Sequence, residues 1–498
     1  MNLNILVILP LIFALSLLFA KTKEQIRMIA LLGAGVQLIL AFYLYYCYRN
    51  VSLPPANGMF FESIASWFPS LNINYHIGVD GISIAMILLT AFVVFAGILV
   101  SWNVNKSPKE FFFLITLLSS GAYGFFISLD LFCMFFFLEV AVIPKYLLIG
   151  IWGSGKKEYS ANKLALMLMG GSALVLVGIL GLYYYSSGPI GGFNLMELST
   201  QYIPLNKQLI YFPFLFVGFG VFTAIFPFHT WVPDGHSSAP TAASMFLAGV
   251  SMKLGGYGCL RVATFLLPEA AHFYSPYIIV LSTIAILYGA FATMMQKDLK
   301  YMNAYSSISH CGFVLLGIGM LTPTAINGAV LQMISHGLMT ALFFAAIGMI
   351  YERAHTRIIS ELGGLLKVMP FIGTIFILAG LCSLGLPGLS GFVAEMTVFI
   401  GSWARPEKLY RLATILSTMS IVVTAVYILR ASGTVLMGEI KNNSFKDLTD
   451  AHWYEKTAGV LLLAGILLIG LSPFVVNELI APGAEHIMNN IHRITAGL

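Results

Sequence analysis

Apolar residues in this chain form long uninterrupted runs rather than an alternating pattern. A run of about 20 apolar residues spans a bilayer as an α-helix, and such runs recur along the whole sequence. Because the runs are continuous, they predict helices rather than membrane strands. We count about fourteen, at 4–20, 27–47, 80–101, 111–128, 130–151, 161–185, 209–227, 241–267, 274–294, 302–320, 324–350, 368–404 (interrupted), 411–437 and 457–477.

Glycine and proline interrupt two of these apolar stretches, LFVGFGVFTAIFPFHTWVPDGHSSAPT (215–241) and AGLCSLGLPGLSGFVAEMTVF (379–399). Each is the fourth of five predicted helices, in 111–267 and in 274–437. Matching interruptions in two halves are typical of repeat-built transporters, and an odd number of helices per repeat inverts the second one. We therefore predict an all-α polytopic membrane protein of about fourteen transmembrane helices, with two inverted five-helix repeats that each contain a broken helix.

These repeats divide the chain into four predicted parts. Three N-terminal helices occupy 1–110, the first antiporter-like repeat 111–268 and the second 269–437, and a C-terminal loop with the last helix occupies 438–498.

Composition supports a membrane location and excludes several classes of function. The chain is 58% hydrophobic and 9% charged, whereas soluble domains carry about 25% charged residues. Its five cysteines are scattered without a CxxC pair, and no glycine-rich nucleotide motif occurs, so we expect no cofactor on this chain. His229, Asp234 and His236 match no zinc template, so we expect no metal either and interpret FHTWVPDGH as a polar helix-break loop.

Basic residues predict the orientation of the helices. Of the 26 lysines and arginines, sixteen fall in one set of alternate loops and six in the other. The positive-inside rule places the richer set in the cytoplasm, so both termini are expected outside. The net charge of +5 is then an orientation signal and gives no reason to expect nucleic acid.

Two opposite charges lie in FFFLEVAVIPKYLLIG (135–150), namely Glu139 and Lys145. A charge at mid-helix costs about 2.5–3.5 kcal/mol even on the lenient insertion scale. An ion or proton pathway is therefore the favoured interpretation of Glu139, and a neutral hydrogen-bonded carboxyl is the structural alternative. Lys145 either interacts with Glu139 or extends its ammonium to the cytoplasmic interface.

Other titratable residues occur in the runs of the second half. Lys253 is surrounded by small residues in ASMFLAGVSMKLGGYG, which favour close helix approach and a lysine facing the bundle; a snorkelling lysine is the alternative. His310 and His336 lie in consecutive helices, and Glu395 directly follows the second break. In a chain with so few charges, these residues predict a proton relay.

Several long motifs resemble a known family. FHTWVPDGHSSAPTAASMFLAGVSMKLGGYG, AYSSISHCGFVLLG, QMISHGLMTALFFAAIGMIYERAHTR and LGLPGLSGFVAEM are similar to the chain M (mitochondrial subunit 4) family of proton-pumping NADH:quinone oxidoreductase, respiratory complex I. The resemblance implies an antiporter-like fold that moves protons, driven by redox chemistry in other subunits. It implies a proton path through the positions of Glu139, Lys253, His310, His336 and Glu395.

One position departs from the family pattern. The family carries a lysine seven residues before the HTW-type histidine, and here that position is Phe222. The family lysine normally pairs with the carboxylate at the position of Glu139. We hypothesise that Lys145, which follows Pro144, partly replaces it. Six residues of helix separate Lys145 from Glu139 by about 9 Å.

The resemblance also implies partners and a location. Other membrane subunits of a complex I-type assembly, including flanking antiporter-like chains, and lipids are the expected partners, with quinone bound elsewhere in the complex and no nucleic acid. The expected location is the bacterial cytoplasmic membrane. Two alternatives stay open: a subunit of a multi-subunit Na+/H+ antiporter, which shares this fold, and a structural pump-like chain whose channel is impaired at Phe222.

Overall fold

Helices account for most of the computed structural model, which describes residues 1–51, 55, 57–186 and 191–495. Its helices are α1 (Asn4–Phe19), α2 (Lys23–Arg49), α3 (Gly81–Val100), α4 (Pro108–Ile127), α5 (Leu131–Val140), α6 (Val142–Trp152), α7 (Lys157–Tyr183), α8 (Leu195–Leu198), α9 (Leu205–Phe222), α10 (Trp231–Ser238), α11 (Thr241–Phe246), α12 (Met252–Gly258), α13 (Pro268–Met294), α14 (Leu299–Gly319), α15 (Pro323–Ala354), α16 (Pro370–Ser383), α17 (Ser390–Trp403), α18 (Lys408–Leu436), α19 (Trp453–Leu471) and α20 (Phe474–Thr495).

The predicted helical membrane fold is confirmed. Within the described ranges, ten helices are long and apolar enough to cross a membrane, and α1 and α16 are shorter apolar helices. The last predicted run, 457–477, extends past the end of α19 at Leu471 into α20. The structure thus has a helix at the C-terminus that the apolar runs did not predict.

Both interrupted stretches are broken helices. In the first, α9 ends at Phe222 and α10 begins at Trp231. In the second, α16 ends at Ser383 and α17 begins at Ser390. Gly385 and Gly388 between them have φ of +77° and +93°, a region where a side chain would be strained. Glycine therefore permits the chain to change direction at the second break.

A β-hairpin follows α2 and was not predicted. Strands β1 (Phe60–Phe68) and β2 (Ile73–Val79) pair antiparallel, and β2 forms a bridge at Ile77 to Ser128, in the turn after α4. Most of β1 is exposed, whereas the second half of β2 is buried. The hairpin therefore lies on the side of the bundle where α4 ends and α5 begins.

The small residues around Lys253 let two helices approach closely. A Cβ added at Gly255 would lie 2.5 Å from the carbonyl oxygen of Phe219 on α9. Only glycine permits this spacing, which fixes the rotation of α12 against α9. Lys253 consequently faces the bundle and is 1% exposed.

The amphipathic helix α20 packs against the bundle through Leu479, Ile480 and Ile487, which are buried. Beside it, Arg261 forms an ion pair with Asp80. Arg261 is 1% exposed, so it is buried and paired, although its place near a helix end would have let it snorkel.

Candidate proton-relay site

Lys253 is on a helix with two widened turns. Residues Leu247–Ser251 and Cys259–Thr264 are π-helical and flank α12 on either side. Such turns insert an extra residue into an α-helix and are frequent at functional sites. The ammonium donates a hydrogen bond to the carbonyl oxygen of Ala248. It also lies 2.7 Å from Nδ1 of His336 on α15.

The two predicted histidines are stacked on each other. The rings of His310, on α14, and His336 have centroids 5.3 Å apart and planes 29° apart. Both residues are buried. Within the described part of the chain, His336 Nε2 has no hydrogen-bond partner.

Glu395 lies at the other end of this series. Its Oε1 is 3.4 Å from His310 Nδ1, and the residue is 4% exposed. It belongs to α17, one and a half turns after the second break, and a Cβ at Gly385 would lie 2.8 Å from its Oε2. The break thus makes room for a carboxylate against the histidine of a different helix.

The structure therefore brings together four of the six predicted residues. Lys253, His336, His310 and Glu395 form a series of neighbours contributed by α12, α15, α14 and α17. Sequence spacing could not give this order, because the contacts join residues that are far apart along the chain.

Glu139 and Lys145 are separate from that series. Lys145 is 1% exposed. Among the described residues, neither its Nζ nor Oε1 of Glu139 has a hydrogen-bond partner. The Lys145 ammonium lies 5.9 Å from the ring centroid of Phe222, within the range of a cation–π contact. Lys145 thus points into the protein beside the position where the family lysine is missing, and does not snorkel.

Sequence reasoning missed several polar neighbours of His310. Nε2 of this histidine is 2.9 Å from Ser383 Oγ, and Nδ1 is 3.2 Å from the side-chain nitrogen of Gln332. The hydroxyl of Ser306 lies 3.4 Å from Ser383 Oγ and 3.0 Å from the hydroxyl of Tyr427. The signal available in the sequence was Gln332, a side-chain amide within the apolar run VLQMISHG, four residues before His336.

His236, interpreted above as part of a polar loop, was also missed. It lies in α10 and is fully buried, with both ring nitrogens unpartnered. It is close enough to interact electrostatically with Lys253 and Lys300. Lys300 is buried at the start of α14 and donates a 2.7 Å hydrogen bond to the carbonyl oxygen of Ala239. His236 and Lys300 are thus two further buried titratable groups that the sequence reasoning did not include.

Comparison with known proteins places this site in a family context. A family described as NADH:quinone oxidoreductase/Mrp antiporter, TM matches residues 128–420, which include all six predicted site residues.

Relatives match over nearly the whole chain. A Synechococcus protein named NAD(P)H-quinone oxidoreductase chain 4 is 38% identical over 95% of this chain and 89% of its own length. NADH-quinone oxidoreductase subunit M of Rickettsia bellii is 36% identical over 94% of this chain and 95% of its own. A chain of respiratory complex I from Thermus thermophilus superposes with a TM-score of 0.89 at 26% identity, over 98% of this chain and 99% of that one. The chain therefore belongs to the NADH:quinone oxidoreductase/Mrp antiporter transmembrane family.

Proposed function

We propose that this chain is the antiporter-like, proton-translocating subunit M (chain 4) of a complex I-type NADH:quinone oxidoreductase. The observation that carries the proposal is the buried series of Lys253, His336, His310 and Glu395. Buried charged and titratable groups are costly and mark proton relays in membrane proteins. Redox cofactors and quinone belong to other subunits in this proposal, and this chain performs no bond chemistry on a substrate.

The four residues act as coupled titrating sites. The Lys253 ammonium can donate a proton to His336 Nδ1, at 2.7 Å. His310 exchanges a proton with Glu395 across 3.4 Å. Between the two stacked rings, a proton step needs a rotation of the His336 ring or a bridging water. Because each charge alters the proton affinity of its neighbour, loading one group drives release from the next.

Lys300 and His236 provide the entry to this series. Lys300 lies near the lysine-rich loops, and His236 acts electrostatically on both Lys253 and His336. In the proposed orientation these loops face the bacterial cytoplasm and both termini lie outside. A proton taken up at Lys300 then reaches Lys253 through the unpartnered ring nitrogens of His236.

Lys145 supplies the positive charge that Phe222 lacks. Its ammonium is buried beside the Phe222 ring and interacts electrostatically with Glu139. Opposite charges attract each other more strongly inside a protein than in water. In this proposal Glu139 and Lys145 respond together to a neighbouring subunit, and their charges control the loading of Lys253.

A Na+/H+ antiporter subunit is the second candidate, because the matched family includes both kinds of complex. Affinity purification of this chain from its native membrane separates the two. Iron–sulfur subunits in the purified complex support the oxidoreductase, and a set of small antiporter subunits without them supports the antiporter. Other membrane subunits, among them flanking antiporter-like chains, are the partners expected in the first case.

The direct test measures proton pumping by the purified complex in proteoliposomes. Lys253→Met removes the ammonium but preserves most of the side-chain volume. We expect the number of protons moved per electron to fall while electron transfer to quinone continues. Unchanged pumping by this variant would contradict the proposed relay and favour a structural role for the chain.

A further inference from the structure

The His310 ring has two polar neighbours on a single nitrogen. Nδ1 lies 3.2 Å from the side-chain nitrogen of Gln332 and 3.4 Å from Oε1 of Glu395. The opposite nitrogen, Nε2, has one such neighbour, the hydroxyl of Ser383 at 2.9 Å. All four residues are buried, so solvent does not compete for these positions.

The two neighbours of Nδ1 require opposite protonation of the ring. An amide nitrogen only donates, so the Gln332 contact needs a lone pair on Nδ1 and places the ring proton on Nε2. An ionised carboxylate only accepts, so a hydrogen bond to Glu395 needs a proton on Nδ1. One ring nitrogen can satisfy only one of these neighbours at a time.

Gln332 has the means to change between these states. Its Oε1 is buried without a hydrogen-bond partner, and an unpaired buried acceptor is unfavourable. A half-turn of the amide would exchange its nitrogen and oxygen. Oε1 would then face Nδ1 and accept a hydrogen bond from a protonated ring.

We propose that Gln332 gates the proton step between Glu395 and His310; the inference rests on the proposed function of the chain. With its nitrogen toward His310, Gln332 occupies the Nδ1 lone pair and prevents transfer. With the amide turned, the imidazolium that His310 forms on receiving a proton gives its Nδ1 proton to the Glu395 carboxylate, which leaves a neutral ring and a carboxylic acid. The neutral ring keeps its other proton on Nε2, which donates a hydrogen bond to the Ser383 hydroxyl. Gln332 gains and loses no proton, so it is a positioning residue.

The proposed gate can be tested by measuring passive proton entry, which a purely structural role of Gln332 would not change. The variant Gln332→Met keeps the length of the side chain but has no donor for Nδ1. The assembled complex in proteoliposomes, without an electron donor, is given a potassium diffusion potential, and passive proton entry is followed with a pH-sensitive dye. We expect entry about fivefold faster than in the wild type, the factor that corresponds to about 1 kcal/mol, the usual net contribution of one neutral hydrogen bond.

A double variant provides the matched control. In Gln332→Met/Glu395→Gln, the carboxylate that exchanges with Nδ1 is gone, so the passive flux should return to the wild-type rate. A fast flux that persists in the double variant, or no increase in Gln332→Met, would overturn the gate.

A second substitution covers the case in which Gln332→Met fails to assemble. Gln332→Glu offers only acceptors when ionised and should hold the proton on Nδ1, which lowers pumping without any increase in passive flux. Wild-type pumping in this variant would also contradict the gate. If Lys253→Met pumps normally, the proposed function itself fails; if only the Gln332 variants behave like the wild type, the relay remains and the gate alone is rejected.

Discussion

The two halves of this chain by residue number, 1–249 and 250–498, differ in how buried charges are arranged. In the second half, Lys253, His336, His310 and Glu395 contact one another in sequence through four helices. In the first half, Glu139 Oε1 and Lys145 Nζ are buried without hydrogen-bond partners. A connected series can pass a proton between fixed neighbours, whereas two isolated charges act on each other only through space. In the proposed function the connected series therefore transfers protons, whereas Glu139 and Lys145 act by electrostatic control.

The largest effect is expected from a substitution that interrupts the connected series at Glu395. Glu395→Gln keeps the shape of the side chain but removes the carboxylate beside His310. Hydrogen bonds to charged groups contribute about 1.5–3 kcal/mol, so we expect at least about a tenfold loss in the rate of proton pumping. Pumping is measured by fluorescence quenching in proteoliposomes during quinone reduction. Electron transfer measured in detergent serves as the control for assembly, and full pumping would show that the series does not end at Glu395.

An intermediate effect is expected in the isolated half. Lys145→Met removes the charge beside Phe222 without changing any hydrogen bond. At about 9 Å and an effective dielectric constant of about 20, its interaction with Glu139 is roughly 1.8 kcal/mol. Because Lys145 acts on the relay only indirectly, through Glu139, only part of this energy reaches the transfer step, and we expect a severalfold decrease in pumping, smaller than that of Glu395→Gln.

Restoring the missing lysine sharpens this test. The double variant Lys145→Met/Phe222→Lys places an ammonium at the position where the family carries one. If Lys145 compensates for Phe222, pumping should recover toward the wild-type rate. Unchanged pumping in Lys145→Met alone would reject the compensation and leave Lys145 with a structural role.

The smallest effect is expected at the edge of the connected half. Ser383→Ala removes one neutral hydrogen bond, to His310 Nε2, and leaves both contacts on Nδ1 in place. We expect pumping to slow by about fivefold or less, in line with about 1 kcal/mol for such a bond. Ser402→Ala is a matched control, since its buried hydroxyl on α17 has no hydrogen-bond partner. Equal losses in both variants would mean that the truncation of a buried serine, and not the loss of the hydrogen bond to His310, is responsible.

Hydrophobicity predicted the helices well because in a membrane each span must be apolar along its whole length. It missed the hairpin, whose strand β1 is largely exposed and carries no continuous apolar run. It missed α20 because an amphipathic helix interrupts its apolar residues with polar ones such as Asn477 and Glu478. Neither the hairpin nor α20 is among the described elements that are long and apolar enough to cross a membrane.

The site was predictable only in part. Lys253, His310, His336 and Glu395 stand out because ionisable side chains are rare in apolar helices. Gln332 and Ser383 do not stand out, since uncharged polar residues are common there, and their importance comes from contacts with a distant helix. That Glu139 and Lys145 are isolated follows from how α5 and α6 pack, which sequence spacing does not determine.

The widened turns on either side of α12 have a consequence for how this helix can evolve. Each holds one residue more than an ordinary turn needs. Deleting a single codon within 247–251 would restore regular winding and barely shorten the helix. Lys253 would stay close to its present direction, whereas deleting one residue from a regular turn would rotate everything after it by about 100°. The widened turn before Lys253 is therefore a place where the helix can lose one residue without turning the lysine away from His336.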